Sequence, residues 1–79
     1  MRLKAWRAQR LWTQQELADR SGVSIFTIRA IETGKNLPTL GTSRKLADAL
    51  QAEPADIDEV AESIERASKK DLVGTSPTR

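Results

Sequence analysis

The 79-residue sequence contains no cysteine and no histidine. Their absence excludes disulfides, thiolate or imidazole zinc sites and the usual nucleophile and base pairs of hydrolases. Acidic residues are present, but none of their spacings makes a metal-binding loop, so no metal or cofactor is expected and the chain does not read as an enzyme. Long apolar runs are also missing. The N-terminus lacks the hydrophobic stretch of a secretory signal, and nothing approaches the roughly 20 apolar residues of a membrane span. A cytoplasmic protein with no membrane partner is the expectation. With no strand-like alternation, internal repeat or low-complexity block, the remaining pattern is all-α.

A chain this short forms one small domain with a limited core, which makes oligomerisation a natural supplement to its stability. Net charge is only +2, but it is unevenly spread. Residues 1–47 carry nine Lys/Arg against three acidic residues, and residues 48–79 carry four against eight. The front half can face a polyanion and the back half cannot.

Leu3, Ala5 and Trp6, ringed by basic residues, give an amphipathic first helix over 2–10. Thr13 and Glu16 form the Ser/Thr-x-x-Glu capping pattern of a second helix, Gln14 to about Ser21, with Leu17 and Ala18 inward. Gly22 suits a left-handed helix end, Val23 packs beneath the corner, and Ser24 caps a third helix that ends near residue 33 with Ile28 and Ile31 buried. Residues 35–41 read as a loop, after which Thr42 or Ser43 caps a fourth helix with Leu46, Ala47 and Leu50 inward. Pro54 is placed in the first turn of a fifth helix, with Asp56, Asp58 and Glu59 complementing its dipole. That helix runs to about residue 69, supported by Glu62–Arg66 and Glu65–Lys69 pairs. The domain is thus expected over 1–69, with a disordered tail over 70–79.

Two helices joined through Gly22, Val23 and Ser24 form a tight corner from which the second can protrude. A helix about 10–12 Å across fits the DNA major groove. A corner that serves only packing is the alternative. The series Gln14, Leu17, Ala18, Gly22, Val23, Ser24, Ile28, Ile31, Glu32, Gly34, Pro38, Leu46, Ala47 and Leu50 resembles the lambda-repressor-like helix-turn-helix domain of the Xre/Cro type, from about Leu3 to Ile57. The resemblance implies a five-helix fold and double-stranded DNA as partner, with the helix opened by Gln14 across the DNA backbone and the one after Ser24 as the recognition helix. It also implies an ion pair between Arg7 and Glu32, and their places beside Trp6 and Ile31 suit partly desolvated charges. The family often has Gly where this chain has Leu11, so either a strained turn or a longer first helix is expected there.

With Ile28 and Ile31 inward, Ile25, Phe26, Arg29, Ala30 and Thr33 project outward, and Ile25, Phe26, Arg29 and Ala30 are the expected base-reading residues. Arg29 can read guanine, and Ile25 and Phe26 can read thymine methyl groups. Thr13, Gln14, Ser24, Thr27, Lys35 and Asn36 are the expected backbone contacts, with charge added by Arg10 and Arg44. Ile57, Val60, Ala61 and Ile64 make a stripe that either seats on the core or forms a homodimer surface. The expected function is a sequence-specific transcriptional regulator, a repressor that binds an inverted repeat as a dimer; controllers of restriction systems and antitoxins share the fold. The alternative is an adaptor that recruits a protein partner through Ile25 and Phe26.

Overall fold

The structure, a computed structural model, describes residues 1–74, and side chains as far as Ala67. The chain order is α1 (Leu3–Gln9), α2 (Gln14–Ser21), α3 (Ile25–Glu32), α4 (Leu40–Leu50), a 3₁₀ turn (Pro54–Asp56) and α5 (Asp58–Gly74). It is an all-α fold. The core is aliphatic: Leu3 from α1, Leu17 and Ala18 from α2, Val23 from the corner, and Ile28 and Ile31 from α3. Leu46, Ala47 and Leu50 from α4, then Ile57 and Val60, close it from the other side.

The α2–α3 corner leaves few polar groups to chance. Thr13 and Glu16 make the reciprocal capping box at the start of α2. Gly22 ends that helix at φ 76°, in the left-handed region that only glycine enters freely. Ser21 Oγ donates to the Leu17 carbonyl and accepts from the Val23 N–H, while Ser24 Oγ accepts from the Phe26 N–H to cap α3. The N–H groups that a sharp turn strips from the helices are thus recovered by two serines.

Several expectations change. Helix α1 does not run longer: Leu11 stands in the left-handed region at φ 59°. Around it the Trp12 N–H donates to the Arg7 carbonyl and the Leu11 N–H to the Ala8 carbonyl, a Schellman ending without its usual glycine. Neither Thr42 nor Ser43 caps α4. Thr39 does, its Oγ1 accepting from the Thr42 N–H at 3.3 Å, because Gly41 is tolerated in a first turn and Ser43 is turned into the core. Pro54 and Asp56 form a separate 3₁₀ turn, since Ile57 adopts an extended backbone (φ −91°, ψ 115°) that drops its side chain into the core. Helix α5 therefore starts at Asp58, and it continues to Gly74, past the expected end near residue 69, because no residue before Gly74 breaks it. The remainder of the expected tail, 75–79, lies outside the described residues, as does the Lys69 side chain of the expected Glu65–Lys69 pair.

Helix α5 also meets the start of α1 through its acidic face. Glu59, with a side chain only 2% exposed, accepts the Leu3 N–H at 2.7 Å and lies 3.3 Å from Arg2 Nε. Glu62 takes Arg2 at 2.7 Å, not Arg66 as its helical spacing suggested, and the Asp58 N–H donates to the Met1 carbonyl. Helix α1 has no side-chain cap of its own, so a carboxylate distant in sequence supplies one.

Leu11 is 89% exposed, so replacing it removes strain without removing a packed side chain. Leu11→Gly is expected to stabilise the domain by roughly 0.5–1 kcal/mol, read as a rise in melting temperature; an unchanged or lower value contradicts the strain assigned to this turn.

Candidate nucleic-acid interface

The exposed face of α3 is built outward from one buried ion pair. Arg7 Nε meets Glu32 Oε2 at 2.9 Å and its second nitrogen, Nη2, meets Oε1 at 3.1 Å, with the two side chains 14% and 4% exposed. The remaining guanidinium arm of Arg7 donates to the Trp12 carbonyl at 2.8 Å. Helix α1, the α1–α2 turn and the C-terminal end of α3 are tied at this point. Burial raises the Glu32 carboxyl pKa, but the Arg7 guanidinium and the Gln14 amide outweigh it and hold the group below its ordinary 4.5.

Gln14 is half-buried and does not project as a free phosphate ligand. Its Nε2 donates to Glu32 Oε1 at 3.1 Å, and its Oε1 accepts from Arg29 Nε at 3.2 Å. Arg29 is thereby held on the exposed side of α3. Phe26, 74% exposed, Ala30, half-buried, and Thr33, exposed, lie along the same stripe at helical spacing. The Thr33 hydroxyl is turned back onto the Arg29 and Ala30 carbonyls.

Ile25 departs from its expected place. It is half-buried and packs against the core, because its spacing of three from Ile28 puts both on one side of the helix. Of the three apolar residues expected to read bases, Ile25, Phe26 and Ala30, only Phe26 is freely presented.

Of the expected backbone contacts, Thr13 and Ser24 are exposed but serve as helix caps, and Thr27 is half-buried. Lys35 and Asn36 are exposed. Their N–H groups donate to the Ala30 carbonyl, at 2.9 and 3.3 Å, which holds both directly beyond the end of α3.

Arg10 is not a surface charge for phosphate. It donates to the Leu50 carbonyl at 2.6 Å and lies over Trp6 and Trp12, 5.2 and 5.9 Å from the ring centroids. Arg20 covers Trp12 at 4.5 Å. This stack of cations and indoles joins α1, α2 and the end of α4.

The stripe on α5 divides. Ile57 and Val60 are fully buried in the chain's own core, so neither forms a dimer surface; Ala61 is half-buried and Ile64 is 46% exposed. Ile64 instead flanks a groove of about 440 Å³ with Leu40, Arg44 and Pro54, of which Leu40 is 68% exposed. The sequence pattern gives Leu40 no role, because a cap at Thr42 or Ser43 puts the start of α4 after it, whereas α4 starts at Leu40 itself.

A family model described as helix-turn-helix matches residues 3–57, more than half of the chain. The chain belongs to the Xre/Cro-type helix-turn-helix family. That family consists of DNA-binding transcription regulators and is not one of enzymes. The match ends at Ile57, so α5 lies beyond it. An "uncharacterized HTH-type transcriptional regulator" of Archaeoglobus fulgidus is 43% identical over 56 residues, covering 71% of this helix-turn-helix chain and 79% of its relative. No solved structure matches it. Among the described residues, no group of three acidic side chains is placed to hold a metal ion, and no helix is long and apolar enough to cross a membrane.

Removing one member of the buried pair strands the other. Arg7→Met is expected to cost about 3 kcal/mol in denaturant unfolding, whereas a loss near zero would mean the pair behaves as surface charge. Because the Glu32 carboxyl is depressed in the folded state, its contribution is complete above its ordinary 4.5 and disappears as pH falls through the lower folded value. As pH falls below about 5, Glu32→Gln should therefore lose less stability than wild type; equal slopes would contradict the assignment.

Proposed function

We propose that this protein is a sequence-specific, double-stranded DNA-binding transcriptional regulator that represses by occluding its operator, with α3 in the major groove. The observation that carries this reading is Arg29. An arginine presented on the outer stripe of the recognition helix, its Nε held by Gln14, keeps its two terminal nitrogens available for guanine O6 and N7. Phe26 beside it suits a thymine methyl group, and Lys35 and Asn36 suit the phosphates flanking the end of α3. The domain proposed for this activity is residues 1–69.

One module reads few base pairs, so the proposed form is a homodimer on an inverted repeat with half-site centres about 34 Å apart. Its surface is the groove between α4 and α5, where Leu40 and Ile64 leave apolar area exposed beside Arg44. Basic Arg44 and Lys45 on α4 and acidic Glu65 on α5, all exposed, give opposite charge on the two helices, which a two-fold axis can pair. Leu40→Glu should shift light scattering from dimer to monomer; a wild type that is monomeric at high micromolar concentration sinks the dimer.

A second reading rests on Phe26, whose ring is exposed enough to anchor a protein partner. Selection from random duplex DNA at two salt concentrations separates the two. Phosphate binding weakens steeply with salt, whereas enrichment reports base contacts. An enriched inverted repeat, lost in Arg29→Ala, is the expected outcome. Salt-sensitive binding with no enriched sequence favours the adaptor.

A further inference from the structure

The buried network that holds the fold also reaches the base-reading surface, through one amide. Glu32 accepts from Arg7 and from Gln14 Nε2, and Gln14 Oε1 accepts from Arg29 Nε. The orientation of that amide is dictated by its neighbours. A carboxylate can only accept and a guanidinium can only donate, so the flipped amide would set oxygen against oxygen and N–H against N–H. The Gln14 carbonyl therefore faces Arg29. Glu32 fixes the amide, and Arg7 fixes Glu32.

We infer that Gln14 is a positioning residue for base recognition: it holds the Arg29 guanidinium by Nε, aims its two terminal nitrogens outward, and so sets the preference for guanine at one operator position. This inference rests on the function proposed above. It assigns Gln14 a different role from a phosphate contact, and the two make different predictions. A phosphate ligand contributes equally on every sequence, because phosphates carry no base information. A residue that restricts Arg29 acts on discrimination, since a long side chain that wanders among rotamers makes poorer bidentate bonds with its preferred base. The half-buried position of Gln14 and its use of both amide ends within the chain favour the second role.

The network also connects stability to specificity. Glu32 lies in the last position of α3 and Arg29 one turn before it, so a change that releases Gln14 from Glu32 frees the amide to rotate and loosens Arg29 without touching DNA. Gln14→Leu removes both hydrogen bonds at nearly constant volume. Gln14→Glu keeps an acceptor for Arg29 but places it against the Glu32 carboxylate.

The test uses the full chain and the operator enriched by the wild type, compared with the same duplex carrying adenine in place of the guanine that Arg29 reads. Gln14→Leu is expected to reduce the wild-type preference for guanine by about tenfold, to leave affinity for random duplex DNA within about twofold, and to have no further effect in an Arg29→Ala background. In the free protein, the Arg29 Nε–H resonance, observed by nitrogen-15 NMR, should lose its protection from exchange in Gln14→Leu. Circular dichroism checks that the variant is folded; if Gln14→Leu does not fold, Gln14→Glu and Gln14→Met take its place in the same comparison. An equal loss of affinity on all duplexes, or the same loss with Arg29 already removed, overturns the inference and returns Gln14 to the phosphate backbone. A wild-type pool that enriches no sequence overturns the function itself, and the inference with it, before any variant is compared.

Discussion

The Glu32 carboxylate is the point on which this small domain depends. Both its oxygens are occupied, one by Arg7 Nε and the other by Arg7 and Gln14 together, and its side chain is almost fully withdrawn from water. Two charges out of solvent are costly when either is left alone, and the geometry here offsets that cost by satisfying each with fixed donors and acceptors. What the pair secures is position. It sets α1 against the end of α3, and through the Trp12 carbonyl it sets the turn that leads into α2. The relative placement of α2 and α3, on which any groove-reading surface depends, follows from the same contact.

Short aliphatic side chains fill the core, and polar clamps fix the ends of the helices around it. Glu59 closes the start of α1, Arg10 reaches from α1 to the end of α4 between two indole rings, and Ser63 ties α5 to the Pro38 carbonyl at 2.6 Å. The charge division of the chain acquires a structural meaning in this light. Acidic side chains on the first turns of α5 are engaged with Arg2 and the start of α1, while Arg29 and Lys35 remain on the exposed side and end of α3. A back half rich in carboxylates thus serves the fold without crowding the surface that a polyanion would approach.

The α2–α3 corner was readable in the sequence because its signals are local. Thr13 with Glu16, Gly22 in a left-handed helix end and Ser24 as a cap each act over three or four residues, and each stands where the spacing put it. Features that depend on partners distant in the chain were not readable. Periodicity gave α5 an apolar stripe but could not say whether Ile57 and Val60 would meet this chain or another; they meet this one. Helical spacing offered Arg66 to Glu62, and Arg2 took it. An inward pair of Ile28 and Ile31 implies an outward Ile25, whereas its spacing of three from Ile28 puts it beside the core. Gln14 was legible as a polar residue at a helix start, but its engagement with both Glu32 and Arg29 required α2 and α3 in their actual packing.

The most direct measurement is hydrogen exchange of the Arg7 guanidinium protons, followed by nitrogen-15 NMR in the free protein near neutral pH. A buried arginine donating to Glu32 and to the Trp12 carbonyl should exchange only through large opening of the domain, so its protection should match that of the most protected core amides. Exchange as fast as that of an exposed arginine would mean that the pair is open in solution, and the Arg7–Glu32 contact could then no longer be what holds α1, α2 and α3 in place.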